Sequence, residues 1–257
     1  MQERHKDKQR YFNEQIYTTE KYVIPFIQQH KMLDASLKVF EIGCGEGGNL
    51  KPFVDLGCTC VGVDLSLSKI ENGKKFYAGS SNIELICRDI YDMPEYFGKF
   101  DVLIIRDVIE HIHDQDRFLG FIKQFLNEGA VIFVGFPPWQ NPFGGHQQIC
   151  NSRFLAALPY YHLLPTSLYK GILHLFGESK EKIASLLEIK ETGISLERLE
   201  KLARNNGYSI KRKILYFINP NYEVKFGLKP RKTYKLLQIP VLRNFYTTCG
   251  YYLLTVQ

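Results

Sequence analysis

The chain predicts an α/β fold built on a parallel sheet with helices on both faces. Three observations carry that expectation. Apolar strand-like runs at 38–43, 58–64, 82–89, 100–106 and 130–136 alternate with helical patterns. A glycine turn, Gly43-Cys44-Gly45-Glu46-Gly47-Gly48, follows the first run directly. Asp64 closes the second run, 21 positions after Gly43. Runs that are apolar throughout belong to strands buried on both faces, and such strands form parallel sheets.

The elements follow in order. Residues 10–31 place Tyr11, Phe12, Ile16, Tyr22, Val23, Phe26 and Ile27 at helical spacing. Pro25 interrupts, which predicts two short helices or one kinked one. After the first strand, residues 47–56 read as a helix stopped by Gly57. Ser66 or Ser68 can cap the next helix, which runs to about Ala78. A helix from about Asp114 to Leu126 ends at Gly129 and leads into the strand at 130–136. After Pro137-Pro138 the pattern changes: residues 139–190 are rich in aromatics, glycine and proline. Residues 194–206 read as an amphipathic helix with Ser195 as N-cap and Gly207 at its stop. Residues 208–218 and 245–256 are strand-like.

At 257 residues the chain can bury a full core. The reading is a single domain over 1–257. It comprises an N-terminal helical cap (1–37), a core (38–136), a lid insertion (139–193), and a terminal part (194–257) with its own insertion at 219–243. Hydrophobic content of 45% and charged content of 23% are those of a soluble globular protein. The six cysteines (44, 58, 60, 87, 150, 249) lack paired metal spacing, since Cys58-x-Cys60 is too close for a C-x-x-C pair. Several fall inside apolar strands, so reduced core thiols and a cytoplasmic compartment are expected. The first ten residues are too charged for a signal peptide, and no apolar run is long enough to span a bilayer.

Net charge is +6 and the sequence pI is about 8.9. Much of the excess lies at the N-terminus and in residues 201–243. An acidic substrate, an anionic membrane surface or nucleic acid would each suit it, and a solvated basic face explains it equally well. No aromatic-basic RNA motif is present, so nucleic acid is not the expected partner. The oligomeric state is left open.

A strand, a glycine turn opening a helix, and a carboxylate at the tip of the next strand form a site for the adenosine half of a nucleotide-like cofactor. Glycines allow backbone and ligand to approach, and Asp64 can accept hydrogen bonds from ribose hydroxyls. Gly43, Gly45 and Gly48 also satisfy the G-x-G-x-x-G pattern of dinucleotide enzymes. Those hold a pyrophosphate at the helix N-terminus, where Glu46 would repel it. A plain glycine turn with no ligand is the bland alternative. Glu41, Asp64, Asp89 and Arg106 all fall at or beside strand ends, where ligands bind in open parallel sheets.

The wording Glu41-Ile42-Gly43-Cys44-Gly45-Glu46-Gly47 resembles motif I of class I S-adenosylmethionine-dependent methyltransferases. The run Arg106-Asp107-Val108-Ile109-Glu110-His111 resembles the Asp/Glu-x-x-Glu-His segment of their small-molecule, ubiquinone-biosynthesis-like members. The resemblance covers most of 38–136, with a weaker match at 194–256. It implies a Rossmann-like, seven-stranded, mostly parallel sheet ending in an antiparallel strand pair, 208–218 with 245–256. It also implies S-adenosylmethionine as cofactor. Glu41 would organise the loop near the cofactor's amino group, beside Gly43, Cys44 and Gly45. Asp64 would hold the ribose and Leu65 the adenine face. Asp89 would meet the adenine amine, with the Ile90 amide nearby. Arg106 and Asp107 would line the methionine end. Arg106 is an unusual residue there, because a guanidinium repels a sulfonium unless a carboxylate pairs with it.

His111 is the leading candidate for acid–base work, and His146 is an alternative; the other reading of His111 is a structural histidine anchoring the turn after the strand. His113 and Asp114 should begin the following helix. No metal site is expected, because His111, His113 and Asp114 lack further spaced ligands. The acceptor pocket should be built from Tyr11, Phe12, Trp139 and Phe143, with Gly144-Gly145 as a lid hinge. Plain packing of those aromatics is the alternative. The apolar stretches at 153–176 and 236–242 suit a greasy substrate, a peripheral membrane contact, a dimer interface or simple core.

The function implied is methyl transfer to a small-molecule or glycan- or lipid-linked acceptor, with oxygen preferred. The nitrogen-type Asn/Asp-Pro-Pro-Tyr/Phe motif is missing after the fourth strand. The rivals are an NAD(P)-dependent oxidoreductase and a non-catalytic binding module on the same fold.

Overall fold

A computed structural model describes residues 7–257. The charged start at 1–6, on which the signal-peptide reading partly rests, lies outside the described residues. Eight strands form one sheet: β1 (Lys38–Ile42), β2 (Thr59–Asp64), β3 (Ile83–Cys87), β4 (Phe100–Arg106), β5 (Leu126–Phe136), β6 (Tyr208–Ile218), β7 (Arg231–Lys232) and β8 (Cys249–Val256). Their spatial order is β3-β2-β1-β4-β5-β8-β6-β7. The first five are parallel, and β8 runs antiparallel between β5 and β6. This is the Rossmann-like sheet with an antiparallel terminal pair that the resemblance implied. The strand beyond the expected seven is β7, a two-residue pairing at the edge beside β6. No helix among the described residues is long and apolar enough to cross a membrane. All six cysteines are free thiols, five of them buried.

Strand side chains alternate between the two faces, and this places the site. Phe40, Ile42, Leu103, Ile105, Ile132 and Val134 pack on one face with Phe118, Leu119, Leu196 and Leu199 from the helices at Gln115–Ile122 and Leu196–Asn205. Val39, Val102, Ile104, Val131 and Phe133 pack on the other with Phe12, Val23, Phe26 and Ile27 of the N-terminal helix. Glu41 and Arg106 share the parity of Val39 and Ile104, so they are polar intrusions on the N-terminal-helix face.

That helix is continuous rather than broken. It runs α-helical over Lys8–Thr18, widens to a π turn at Thr19–Val23, and resumes at Ile24–Gln28. Pro25 cannot donate to the carbonyl four residues back, and the ladder shifts so that the Ile24 N–H reaches Thr19. The π turn points Thr19 at the site.

The segment after β5 is more helical than its composition promised, with helices at Arg153–Ala157, Thr166–Leu175 and Lys180–Thr192. They bury a small core of their own around Leu155, Tyr161, Tyr169, Leu173, Ile183 and Leu186. Ser195 caps the Leu196–Asn205 helix, its Oγ accepting from the Arg198 N–H at 3.1 Å, as the sequence predicts. The expected strand at 245–256 starts only at Cys249, because Arg243–Tyr246 forms a short helix.

Candidate functional site

A cavity of about 270 Å³ opens where β1 and β4 end. The turn Gly43–Cys44–Gly45 forms its floor, and Arg106 and Asp107 form one wall. Tyr11, Glu14 and Gln15 of the N-terminal helix close another, and Asn221 and Lys225 of the helix Asn221–Phe226 close a third.

The turn needs its glycines for two different reasons. Gly43 adopts φ +69°, and a Cβ there would lie 2.5 Å from Val108 of the segment after β4. Gly48 would place a Cβ 2.8 Å from the Phe12 carbonyl, so it lets the N-terminal helix settle on the turn rather than admitting a ligand. The turn is tied to β2: the Gly43 and Cys44 amides donate to the Val63 carbonyl at 2.8 and 3.0 Å. Asp64 completes the tie. Its carboxylate accepts from the Gly45 N–H at 2.9 Å and the Ser66 N–H at 2.8 Å, with Lys69 Nζ at 3.8 Å.

Behind the floor runs a buried polar chain. Asn49 Nδ2 donates to Glu41 Oε1 at 2.6 Å, while Asn49 Oδ1 accepts from the Arg106 guanidinium at 2.7 Å and from Thr19 Oγ1 at 3.1 Å. Arg106 also donates to Thr19 at 3.2 Å and to Asn221. Its only ion pair among the described residues is the long one to Asp107, at 3.9 Å. The cation is therefore held by neutral oxygens and faces the cavity with charge to spare. Burial pushes the Glu41 carboxyl up to about 8, against the Asn49 hydrogen bond and the Arg106 charge. Its second oxygen has no hydrogen-bond partner among the described residues.

Asp107 occupies the left-handed region at φ 54°, and so does His146 at φ 52°. Asp and His tolerate this better than most residues, and such backbone gathers at functional sites. Asp107 stands between the cavity and a second cluster. There Glu110, His111 and His146 bring one ligand atom each within 4.8 Å of one another. The His111 and His146 rings meet edge to face at 5.1 Å. Glu110 is buried, and neither carboxylate oxygen has a hydrogen-bond partner among the described residues. Burial, reinforced by the Asp107 charge, holds its carboxyl well above the usual range. Burial also lowers both imidazoles, His146 to about 4 with His111 and His162 adding to the effect. His111 is an exposed residue, yet the protein packed around it still weakens its basicity. Three donors on one small patch, two of them neutral imidazoles, can hold a divalent cation.

Phe12, Trp139 and Phe143 stand away from the cavity. Phe12 is core, packed on Phe76 at 4.5 Å and Tyr77 at 5.7 Å, because its face of the helix is the apolar one. Trp139 is wedged against His162 at 4.6 Å, under Lys190, where a Cβ on Gly193 would collide with it. Gly144 and Gly145 are closely packed: Cβ atoms there would lie 2.1 Å from the Trp139 carbonyl and 2.4 Å from His162. Phe143 lies on the surface outside the cavity. Ile90 is buried in the core, and Asp89 caps the short turn Ile90–Asp92 by accepting from the Tyr91 N–H at 3.0 Å. Leu65 stands 75% exposed beside Asp64. His113 leaves the cluster for Glu188 at 3.2 Å, and Asp114 caps the next helix.

Asn49, Thr19, Asn221 and Glu110 were missed. Glu110 lies within the Asp/Glu-x-x-Glu-His run, where its neighbour His111 carries the more evident acid–base chemistry. Asn221 touches Arg106 from 115 positions away, which no local pattern shows.

Residues 40–134 match the family described as "Methyltransferase domain". A ubiquinone biosynthesis O-methyltransferase of Brucella anthropi is 33% identical over 100 residues, which is 38% of this chain and 40% of that protein. The chain spans less than half the length of the curated relatives it matches. Among solved structures, an S-adenosylmethionine-dependent methyltransferase of Thermotoga maritima superposes with a TM-score of 0.58 at 16% identity, covering 98% of this chain and 96% of that one. The magnesium protoporphyrin IX methyltransferase of Synechocystis, with S-adenosylhomocysteine bound, gives 0.55 at 15%, covering 96% and 84%. The chain has the class I S-adenosylmethionine-dependent methyltransferase fold.

Proposed function

We propose that this class I fold works as an S-adenosylmethionine-dependent methyltransferase on a small-molecule or glycan- or lipid-linked acceptor, with oxygen receiving the methyl group. The observation that carries the reading is the cavity between the glycine turn and Arg106, with Asp64 at its side. S-adenosylmethionine, when bound, supplies a methyl group already activated on a sulfonium. The chain has to bind, align and exclude water.

The residues fit that group. The Asp64 oxygens each use one acceptor position on a backbone N–H, leaving others for ribose hydroxyls. Exposed Leu65 offers an apolar face to adenine, and Asp89 stands ready for its exocyclic amine. Arg106, held by amide and hydroxyl oxygens, receives the methionine carboxylate, so its charge is paired rather than set against the sulfonium. Tyr11 and Asp107 close over that end. His111 and His146, kept neutral by their surroundings, can take the proton of an acceptor hydroxyl.

A second reading of the same cluster is metal-assisted. The buried, unbonded Glu110 carboxylate beside two neutral imidazoles favours it. A divalent cation held by Glu110, His111 and His146 would lower the acceptor hydroxyl's pKa. The six free thiols support a reducing, cytoplasmic setting.

Calorimetric titration with S-adenosylhomocysteine, NAD and NADP tests the cofactor. The reading expects micromolar-range binding of S-adenosylhomocysteine alone; binding of a dinucleotide alone would put the oxidoreductase in its place. For the metal, the chelator-treated protein is melted with and without Zn²⁺ or Mg²⁺. The metal reading expects a higher melting temperature that Glu110→Gln abolishes; no shift leaves the two histidines as proton acceptors only.

A further inference from the structure

The segment 228–242, outside the cavity and the histidine cluster, carries an unusual surface. Leu228, Tyr234, Leu236, Leu237, Ile239, Val241 and Leu242 are all exposed, Leu236 to 91%, Tyr234 to 77% and Val241 to 62%. Lys229, Arg231, Lys232 and Lys235 are interspersed with them, and residues 226–245 contain no Asp or Glu. None of those four cations pairs with a carboxylate among the described residues.

The exposure is imposed by the fold rather than left by poor packing. Buried Arg243 pairs with Glu197 at 2.7 Å and Glu200 at 3.0 Å. Asn244 donates to Glu197 at 2.6 Å and accepts from the Leu196 N–H at 2.8 Å. Glu197 also accepts from the Val241 N–H at 3.1 Å, holding this β-branched residue at φ +69°. Backbone of that kind persists only where neighbours enforce it. The C-terminal end of the segment is therefore clamped while its apolar side chains are turned outward.

We infer that the 228–242 segment docks the protein on an anionic bilayer surface, its leucines and tyrosine entering the interface and its lysines and arginine meeting lipid phosphates. Charge complementarity selects this occupant: apolar tips within a purely cationic rim suit an apolar layer beneath a negative surface. Topology places the contact usefully. The segment follows the helix Asn221–Phe226, whose Asn221 and Lys225 wall the cavity. That helix leaves the C-terminal end of β6, on the side of the sheet where β1 and β4 end. Docking would set the cavity mouth near the membrane, within reach of a lipid-linked acceptor. That last step rests on the methyl-transfer reading, whereas the membrane contact does not.

Flotation of the purified protein with vesicles tests it, using phosphatidylcholine alone and phosphatidylcholine mixed with phosphatidylglycerol. The protein is expected to float with the mixed vesicles only, and less so as salt rises. Reversing the charges (K229E/R231E/K232E/K235E) should weaken binding by roughly a hundredfold or more. Leu236→Ser with Val241→Ser should weaken it by roughly tenfold. Neither variant should alter S-adenosylhomocysteine affinity, which reports an intact fold and keeps this test separate from that of the cofactor. Absence of flotation by the unaltered protein would overturn the inference. So would a concentration-dependent dimer in sedimentation velocity that the Leu236/Val241 variant abolishes, since a second copy would then cover the face.

Discussion

The two halves of the cleft are built in opposite ways. On the proposed methionine side, Glu41, Asn49 and Arg106 are buried and joined by hydrogen bonds, with Thr19 and Asn221 bracing them from distant segments. On the proposed adenosine side, Leu65 and Asp89 are exposed, and Asp64 and Asp89 are tied down by backbone amides alone. The first half is preorganised and belongs to the fold as much as to the site. The second is open surface that the proposed ligand would complete. Damage to the first should therefore cost stability and binding together, and damage to the second should cost binding alone.

Arg106→Met breaks the comparison most severely. It removes three charge-assisted hydrogen bonds, to Asn49, Thr19 and Asn221, and leaves the buried Asn49 oxygen with Thr19 alone, so a loss of about 3 kcal/mol or more is expected in urea unfolding, together with loss of S-adenosylhomocysteine binding. Asp64→Ala should lower that affinity by roughly two orders of magnitude, while stability falls by only about 1 kcal/mol, because water can reach the two freed amides. A variant that loses both equally would erase the distinction between the halves.

Glu41→Gln sharpens it through pH. The folded protein holds the Glu41 proton up to about 8, while the unfolded chain releases it near 4.5. Glu41 therefore imposes no penalty below 4.5, and an increasing one as pH rises from there to 8. A glutamine at this position carries none. The variant should match the parent near pH 4 and exceed it by about 2–4 kcal/mol at pH 8, read from unfolding midpoints. A constant difference across that range would mean Glu41 is ionised in the folded state. The smallest effect is expected from Leu65→Ser, a loss of affinity of about tenfold or less with unchanged unfolding.

The same contrast explains what could be read from the sequence. Strands β1 to β5 and the glycine turn were legible because they are local patterns: continuous apolar runs, a turn with its own spacing, and a carboxylate at a strand tip. Asp64 stands out in the sequence for the same reason. The bracing of Arg106 was not, because Thr19 and Asn221 reach it only through tertiary packing, from 87 and 115 positions away. The region after β5 is less legible for another reason. Its prolines, glycines and aromatics read as an irregular lid with a pocket wall and a hinge, but Trp139, Gly144 and Gly145 pack against one another and His162, in support of His146. Glu110 and His146 meet only through that packing, so the histidine cluster could not be read from spacing along the chain.

The crystal structure of the complex with S-adenosylhomocysteine is the most direct test of the two-sided cleft. The account predicts the ribose hydroxyls on Asp64, the adenine against Leu65, and the carboxylate on Arg106, with Glu41, Asn49 and Arg106 unmoved and the Leu65–Asp89 surface closing on the ligand. A ligand bound away from Arg106, or a rearranged Glu41–Asn49–Arg106 chain around a static adenosine side, would contradict it.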